Sequence, residues 1–269
     1  MKLRPELDIE CRLVLPFRFE LSAGQRPWRL RALCAAALLC APGGARLLAD
    51  EPRATSEPVS VVAPKELPSA QSLNLKETKL DVHKFAVVES YSGPQSYYKW
   101  VDDPSEAFIR ATYHWPLETV TLGFEVPENL RQGARRLRWK WRAMVLPKGG
   151  DECRDGFGDS AAVIYVSWKR GLKWYSLKYV WSAVGKKGAV CDQKRNLFVV
   201  QDTVIVQSGG PTGIWVSEEI DPSAEFRAHF ENGDPNADVP DFVGVGLMSD
   251  GDQTKTVSAA DYAGFAILH

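Results

Sequence analysis

Histidine and cysteine are scarce in this chain, with four of one and five of the other among 269 residues. His83, His114, His229 and His269 show no zinc spacing, and no Ser–His–Asp set can be placed from them. Charge of one sign is not in excess either. The formal net charge is -1, so nothing in the total speaks for a nucleic acid or an anionic membrane as partner. No apolar run reaches the roughly 20 residues that a spanning helix needs. A Gly-rich phosphate loop and a βαβ rhythm are also missing, which removes the nucleotide-binding α/β classes.

What the chain does have begins with a leader. Arg26, Arg29 and Arg31 precede an apolar stretch at 32–42, and small residues follow through Gly43, Gly44 and Ala45 to Ala49. That order reads as a secretory signal peptide within residues 1–49, cut near Ala45 or Ala49. Residues 1–25 read as an over-long start. The other reading is a cytosolic chain with an apolar N-terminal helix. Neither Cys34 nor Cys40 fits a lipoprotein site, since bulky Leu39 directly precedes Cys40. Export leaves two cysteines, Cys153 and Cys191. As a disulfide they would close a loop of about 38 residues and contribute about 2–4 kcal/mol; as separate buried thiols they would not. The expected location is the periplasm or the medium, with no transmembrane segment in the mature chain.

Residues 50–83 carry Pro52, Pro58, Pro64 and Pro68 among Ser, Glu and Lys without apolar periodicity, and read as a disordered linker. From residue 84 to 269 a two-residue period takes over. Strands are predicted at 85–91, 107–113, 118–126, 137–143, 161–168, 175–181, 197–206, 213–220, 242–248 and 262–268. The clearest is 137–143, where Leu137, Trp139, Trp141 and Ala143 alternate with Arg138, Lys140 and Arg142. One helix is expected after Asp221, with Pro222 in its first turn and Phe226 and Phe230 on one face. The fold class that follows is all-β: a two-sheet antiparallel β-sandwich of jelly-roll type with one short helix.

Several stretches of this domain resemble a bacterial family, the domain of unknown function 3047. They are Leu137-Arg-Trp-Lys-Trp141, Gly158-Asp-Ser-Ala-Ala162 leading into Val163-Ile-Tyr-Val166, and Leu177-Lys-Tyr-Val-Trp181. Ser208-Gly209, Trp215 with Glu218, and Ser249-Asp-Gly-Asp-Gln-Thr254 ahead of Ala260-Asp-Tyr262 complete the set. The resemblance covers roughly residues 84–269 and implies no reaction. The chain departs from the family pattern at Ser160 and in having the two cysteines.

Candidate chemistry rests on a few polar groups. Glu218 and Glu219, with Asp221, echo half of a Glu-x-Asp-x-x-Glu glycosidase strand, but Pro222 interrupts it and Glu225 falls inside the helix. Asp250 and Asp252 sit in a turn that could hold Ca2+, with Asp261 as a further ligand; a plain hairpin turn is the alternative. Arg138, Lys140, Arg142, Asp159 and Lys178 are the ligand-binding candidates, a polar ladder or a solvated face, with Asp159 or Asp202 as counter-charges. Trp139, Trp141, Tyr175, Tyr179, Trp181 and Trp215 are groove or core, while Tyr97, Tyr98 and Trp100 are the aromatics expected to be exposed. If the aromatic side of 137–143 is core, the Arg/Lys side is the groove and its ligand should be acidic. The leading expectation is an exported non-catalytic protein that binds a polysaccharide or another envelope ligand. A carboxylate-based glycoside hydrolase and a structural envelope domain are the alternatives.

Overall fold

Among the described residues, thirteen strands and two helices form, the long strands where the two-residue period calls for them and the longer helix where a capping signal does. The computed structural model describes residues 74–88 and 97–269. Its strands are β1 (Glu77–Lys79), β2 (Ala86–Val87), β3 (Tyr98–Val101), β4 (Phe108–Tyr113), β5 (Leu122–Glu125) and β6 (Arg136–Val145). Then come β7 (Ser160–Arg170), β8 (Lys173–Ser182), β9 (Val190–Arg195), β10 (Val199–Ser208), β11 (Val216–Ile220), β12 (Asp241–Met248) and β13 (Ser258–Leu268). The helices are α1 (Glu128–Arg131) and α2 (Pro222–Phe230). One sheet has the order β11-β6-β13-β4-β3, with β1 also on β13; the other runs β2-β5-β12-β7-β8-β10-β9.

The two sheets pack face to face as a sandwich, because each long strand is apolar on one side. On β6, Leu137, Trp139, Trp141 and Ala143 are fully buried, while Arg138, Lys140 and Arg142 point the other way. Trp139 meets Tyr179 of the opposite sheet at 5.6 Å between ring centroids, and Trp141 meets Trp181 at 6.0 Å. Thus Trp139, Trp141, Tyr175, Tyr179 and Trp181 are core. Tyr97 and Tyr98 are buried as well, contrary to the exposure expected of them. Both hydroxyls donate to the Val120 carbonyl, which is how an irregular segment pins its rings inside. Trp100 is half-buried and donates to the Val82 carbonyl.

Helix α2 closes one side of the core. Asp221 Oδ1 accepts from the backbone N–H groups of Ser223 and Ala224, as an N-cap does. Phe226 and Phe230 then pack on Trp168 and Tyr175. One pair of strands is parallel rather than antiparallel: β10 lies between β8 and β9 and runs with β8. After β8 the chain skips one strand width to form β9, then fills the gap. The sandwich also starts earlier than residue 84. Glu77 faces Leu268 and Lys79 faces Ala266, so the end of the predicted linker belongs to the first sheet. The expected leader, the linker up to residue 73 and the end of the strand predicted at 85–91 lie outside the described residues.

Cys153 and Cys191 form a disulfide with 5.3 Å between their Cα atoms, tying the loop after β6 to the edge strand β9. Among the described residues no helix is long and apolar enough to cross a membrane.

Candidate functional site

The outer face of the six-stranded sheet carries the densest set of polar groups. Its centre is Asp261 on β13, fully buried although it points away from the core. Asp261 faces Arg110 of β4 on one side and Arg142 of β6 on the other. Arg110 donates through Nε to Oδ1 at 2.7 Å and through Nη2 to Oδ2 at 2.8 Å. Arg142 places Nε and Nη2 on Oδ2, each at 2.7 Å. The two guanidiniums rest on aromatic rings. Arg142 lies 4.5 Å from the Trp215 centroid, and Arg110 lies 5.3 Å from that of Phe108. Phe108 and Trp215 meet edge to face at 6.0 Å. Of the aromatics proposed for a groove, Trp215 alone reaches this outer face, half-buried beside exposed Ile214.

The same face continues along β6. Lys140 pairs with Glu106 and lies 5.9 Å from the Trp215 ring. A bulge at Gly264, with φ +63°, lets its aliphatic stem pass; a Cβ there would come within 2.8 Å of Lys140 Cε. Arg138 donates twice to Glu219 Oε2, at 2.9 and 2.8 Å, and once to Glu77 at 3.1 Å. Buried Arg136 reaches Asp221 at 2.9 Å. Arg110, Arg136, Arg138, Lys140 and Arg142 therefore each have a carboxylate, while exposed Lys99 stands opposite Arg110 at the edge. The partners are Glu77, Glu106, Glu219, Asp221 and Asp261, not Asp159 or Asp202 as the sequence suggested. Lone charges in the apolar strands, Arg110 and Asp261, were the available signal for them.

Lys178 and Asp159 lie elsewhere, so the five ligand-binding candidates do not form one ladder. Lys178 sits on the outer side of the seven-stranded sheet and is buried there, donating to both oxygens of Glu152 at 2.9 Å. Burial would lower its pKa, but Glu152, Tyr165 and Asp250 outweigh that and hold it well above the usual range. Ser160 Oγ also donates to Glu152, at 2.8 Å. Asp159 accepts from the backbone N–H groups of Gln253 and Thr254 at 3.3 and 2.6 Å, holding the turn after β12.

That turn brings Asp159, Asp250 and Asp252 together, with oxygens all within 4.8 Å of one another. Asp261, read as a further ligand, is instead committed to Arg110 and Arg142. Burial pushes the Asp250 carboxyl well up, against the pull of Lys178, and burial with Asp159 raises Asp252. Three oxygen donors at this spacing suit a hard divalent cation.

Glu218 and Glu219 fall on opposite faces of β11, since neighbours on a strand alternate. Glu219 is opposite Arg138 on the outer face; Glu218 is opposite Trp139, turned inward, and accepts from Gln207 at 2.8 Å. Burial raises the Glu218 pKa, with the Gln207 bond opposing. Glu225 accepts from the buried Tyr179 hydroxyl at 2.7 Å, and His229 Nδ1 lies 2.9 Å from Asp202.

Solved structures with a similar course of chain include a family 11 carbohydrate-binding module from Clostridium thermocellum. It has 10% identity and a TM-score of 0.37, over 71% of this chain and 94% of that one. Endoglucanase 3 of family GH12 from Trichoderma harzianum shares 11% identity at TM-score 0.37, over 73% and 97%. The xyloglucanase domain of NopAA from Sinorhizobium fredii shares 10% at TM-score 0.40, over 72% and 98%. No curated protein matches the sequence. A family does: its description, protein of unknown function DUF3047, matches residues 88–266, and the chain belongs to that family.

Proposed function

We propose that this is an exported, non-catalytic β-sandwich protein that binds a neutral, hydroxyl-rich polysaccharide on the outer face of its six-stranded sheet. The observation that carries this reading is the Asp261 cluster. Two guanidiniums are fixed by a buried carboxylate and by the Phe108 and Trp215 rings while both side chains stay partly exposed, so they have little conformational freedom to lose on binding. Sugar hydroxyls need donors and acceptors in fixed places beside an aromatic surface, and the strip offers Arg110, Arg138, Lys140, Arg142, Glu106, Glu219 and Trp215. Pairing of Arg110, Arg136, Arg138, Lys140 and Arg142 each with a carboxylate argues for a neutral ligand rather than the acidic one expected from the basic residues alone. The disulfide supports an oxidising compartment.

Affinity electrophoresis against a panel of neutral and acidic polysaccharides tests the proposal. Retardation by a neutral polymer is expected, and Arg142→Ala or Trp215→Ala should remove it. No retardation by any polymer, or retardation that neither substitution changes, refutes the face as the site. Release of reducing sugar that Glu218→Gln or Glu219→Gln abolishes refutes the non-catalytic reading.

For the turn after β12 we propose a bound Ca2+ held by Asp250 and Asp252, with Asp159 as the third carboxylate. The convergence of their oxygens supports this, and the role is to brace the turn rather than to catalyse.

A further inference from the structure

Two turns lie side by side at one end of the seven-stranded sheet. Gly171 and Leu172 join β7 to β8 in a two-residue turn, with Gly171 at φ +60°. Asn196, Leu197 and Phe198 join β9 to β10, and the Asn196 side chain accepts from the N–H groups of Phe198 and Val199 at 2.9 and 2.7 Å. The Trp174 N–H donates to the Phe198 carbonyl at 2.7 Å, which holds the turns together. Their apices are apolar where turns are ordinarily polar. Leu172 is 81% exposed, Leu197 78% and Phe198 41%, and the two leucines are the most exposed large apolar side chains among the described residues.

Cations flank these apices within three residues. Lys169 lies 4.9 Å from the Trp174 ring and Lys173 lies 5.4 Å from that of Tyr175. Arg170 and Arg195 stand beside them, paired with Glu231 and Asp202 respectively, and Lys169 lies opposite Asp241 on β12, so Lys173 is the cation in surplus.

We infer that this tip docks on an anionic lipid bilayer. Rigid apolar apices enter the boundary between headgroups and acyl chains, while lysine and arginine behind them stay at headgroup level with their aliphatic stems buried. Charge complementarity selects the anionic surface over a zwitterionic one, because each lysine or arginine near such a surface strengthens binding roughly fivefold. The tip lies on the sheet opposite to the proposed saccharide face, and the two readings stand or fall separately.

Co-sedimentation with vesicles tests the inference, using equal parts phosphatidylglycerol and phosphatidylethanolamine against phosphatidylcholine alone. Wild type and variants share one N-terminus, so any contribution of the apolar stretch at 32–42 cancels. The chain should pellet with the anionic vesicles and not with phosphatidylcholine. Leu172→Asp with Leu197→Asp should weaken binding at least about tenfold, as should Lys169→Glu with Lys173→Glu. Exposure of these side chains leaves the fold intact, which an unchanged melting temperature verifies. Equal pelleting with both vesicle types, no pelleting with either, or binding indifferent to both double substitutions overturns the inference.

Discussion

Replacing Asp261 by Asn removes the charge that two guanidiniums share while keeping the size of the side chain. Asn supplies one acceptor where the carboxylate takes four N–H bonds, and its own NH2 group turns toward a cation. Breaking a fully buried ion pair costs about 3–5 kcal/mol. Here the carboxylate is buried, but Arg110 and Arg142 keep 39% and 21% of their side-chain surface, so water screens them and the expected cost falls to about 2 kcal/mol. For a domain of this size that lowers the melting temperature by roughly 4–8 °C. Arg142→Ala should cost less than half as much, because Asp261 keeps Arg110 and the lost cation was partly hydrated. Differential scanning calorimetry on both variants and on the double variant measures the coupling. An Asp261→Asn protein melting within about 1 °C of wild type, or an Arg142→Ala protein that is the less stable of the two, refutes the view that the buried carboxylate organises this face.

Reduction of the Cys153–Cys191 disulfide, whose sequence separation is 38, should cost up to about 4 kcal/mol, read as a melting temperature roughly 8–15 °C lower in dithiothreitol. Thiols that alkylate in the native, unreduced protein would contradict the bridge. Millimolar Ca2+ should raise the melting temperature, by the equivalent of about 2.7 kcal/mol if it exceeds its dissociation constant a hundredfold. Asp252→Asn should abolish that rise, and a melting curve unmoved by both calcium and EDTA refutes the cation site. Glu218 has a folded pKa raised by burial, so its contribution to stability is full below the unfolded value and is lost as pH rises through the folded one. Glu218→Gln should therefore flatten the fall in stability as pH rises above the ordinary carboxylate range, an effect seen in pH-dependent urea titrations and absent if the carboxyl is ordinary. Burial likewise raises Tyr97 and Tyr113 to about 12, so absorbance at 295 nm should leave them unionised at pH 11 and stability should drop only as pH climbs from 10 toward 12.

The long strands were legible because a two-residue period and bulky rings leave one solution. In 137–143 either the Trp side or the Arg side had to be core, and the apolar area of two indoles with Leu137 and Ala143 outweighs charges that can stay hydrated. The helix was legible from Asp221, Pro222 and the spacing of Phe226 and Phe230. The short strands β1, β3 and β9 were not: Glu77–Lys79 is a polar edge segment whose partner is far away in the chain, and Val190–Arg195 is a polar edge strand with little apolar alternation to betray it. Nor could the period reveal that β10 runs parallel to β8, since alternation is the same in both directions. At the site, the charges were visible but their pairing was not. Arg142 and Asp261 are 119 residues apart and become neighbours only through the register of β6 on β13. Trp215 differs from the other aromatics because it lies just before β11, outside the alternation that commits Val216 and Ile220 to the core side.

The alternation that hid those pairs also bears on catalysis. A retaining or inverting glycosidase needs two carboxyl groups facing one cleft, one of them with a proton to give. Glu218 and Glu219 cannot supply this together, because one points between the sheets and the other outward. The carboxylates that do share the outer face are Glu77, Glu106, Glu219 and Asp261, and each accepts from a cation fixed in the sheet. Asp261 takes N–H bonds on both oxygens. Such groups are suited to holding their partners still. In the proposed reading that stillness is what matters: guanidiniums of Arg110 and Arg142 held in place have little conformational freedom to lose when a ligand binds.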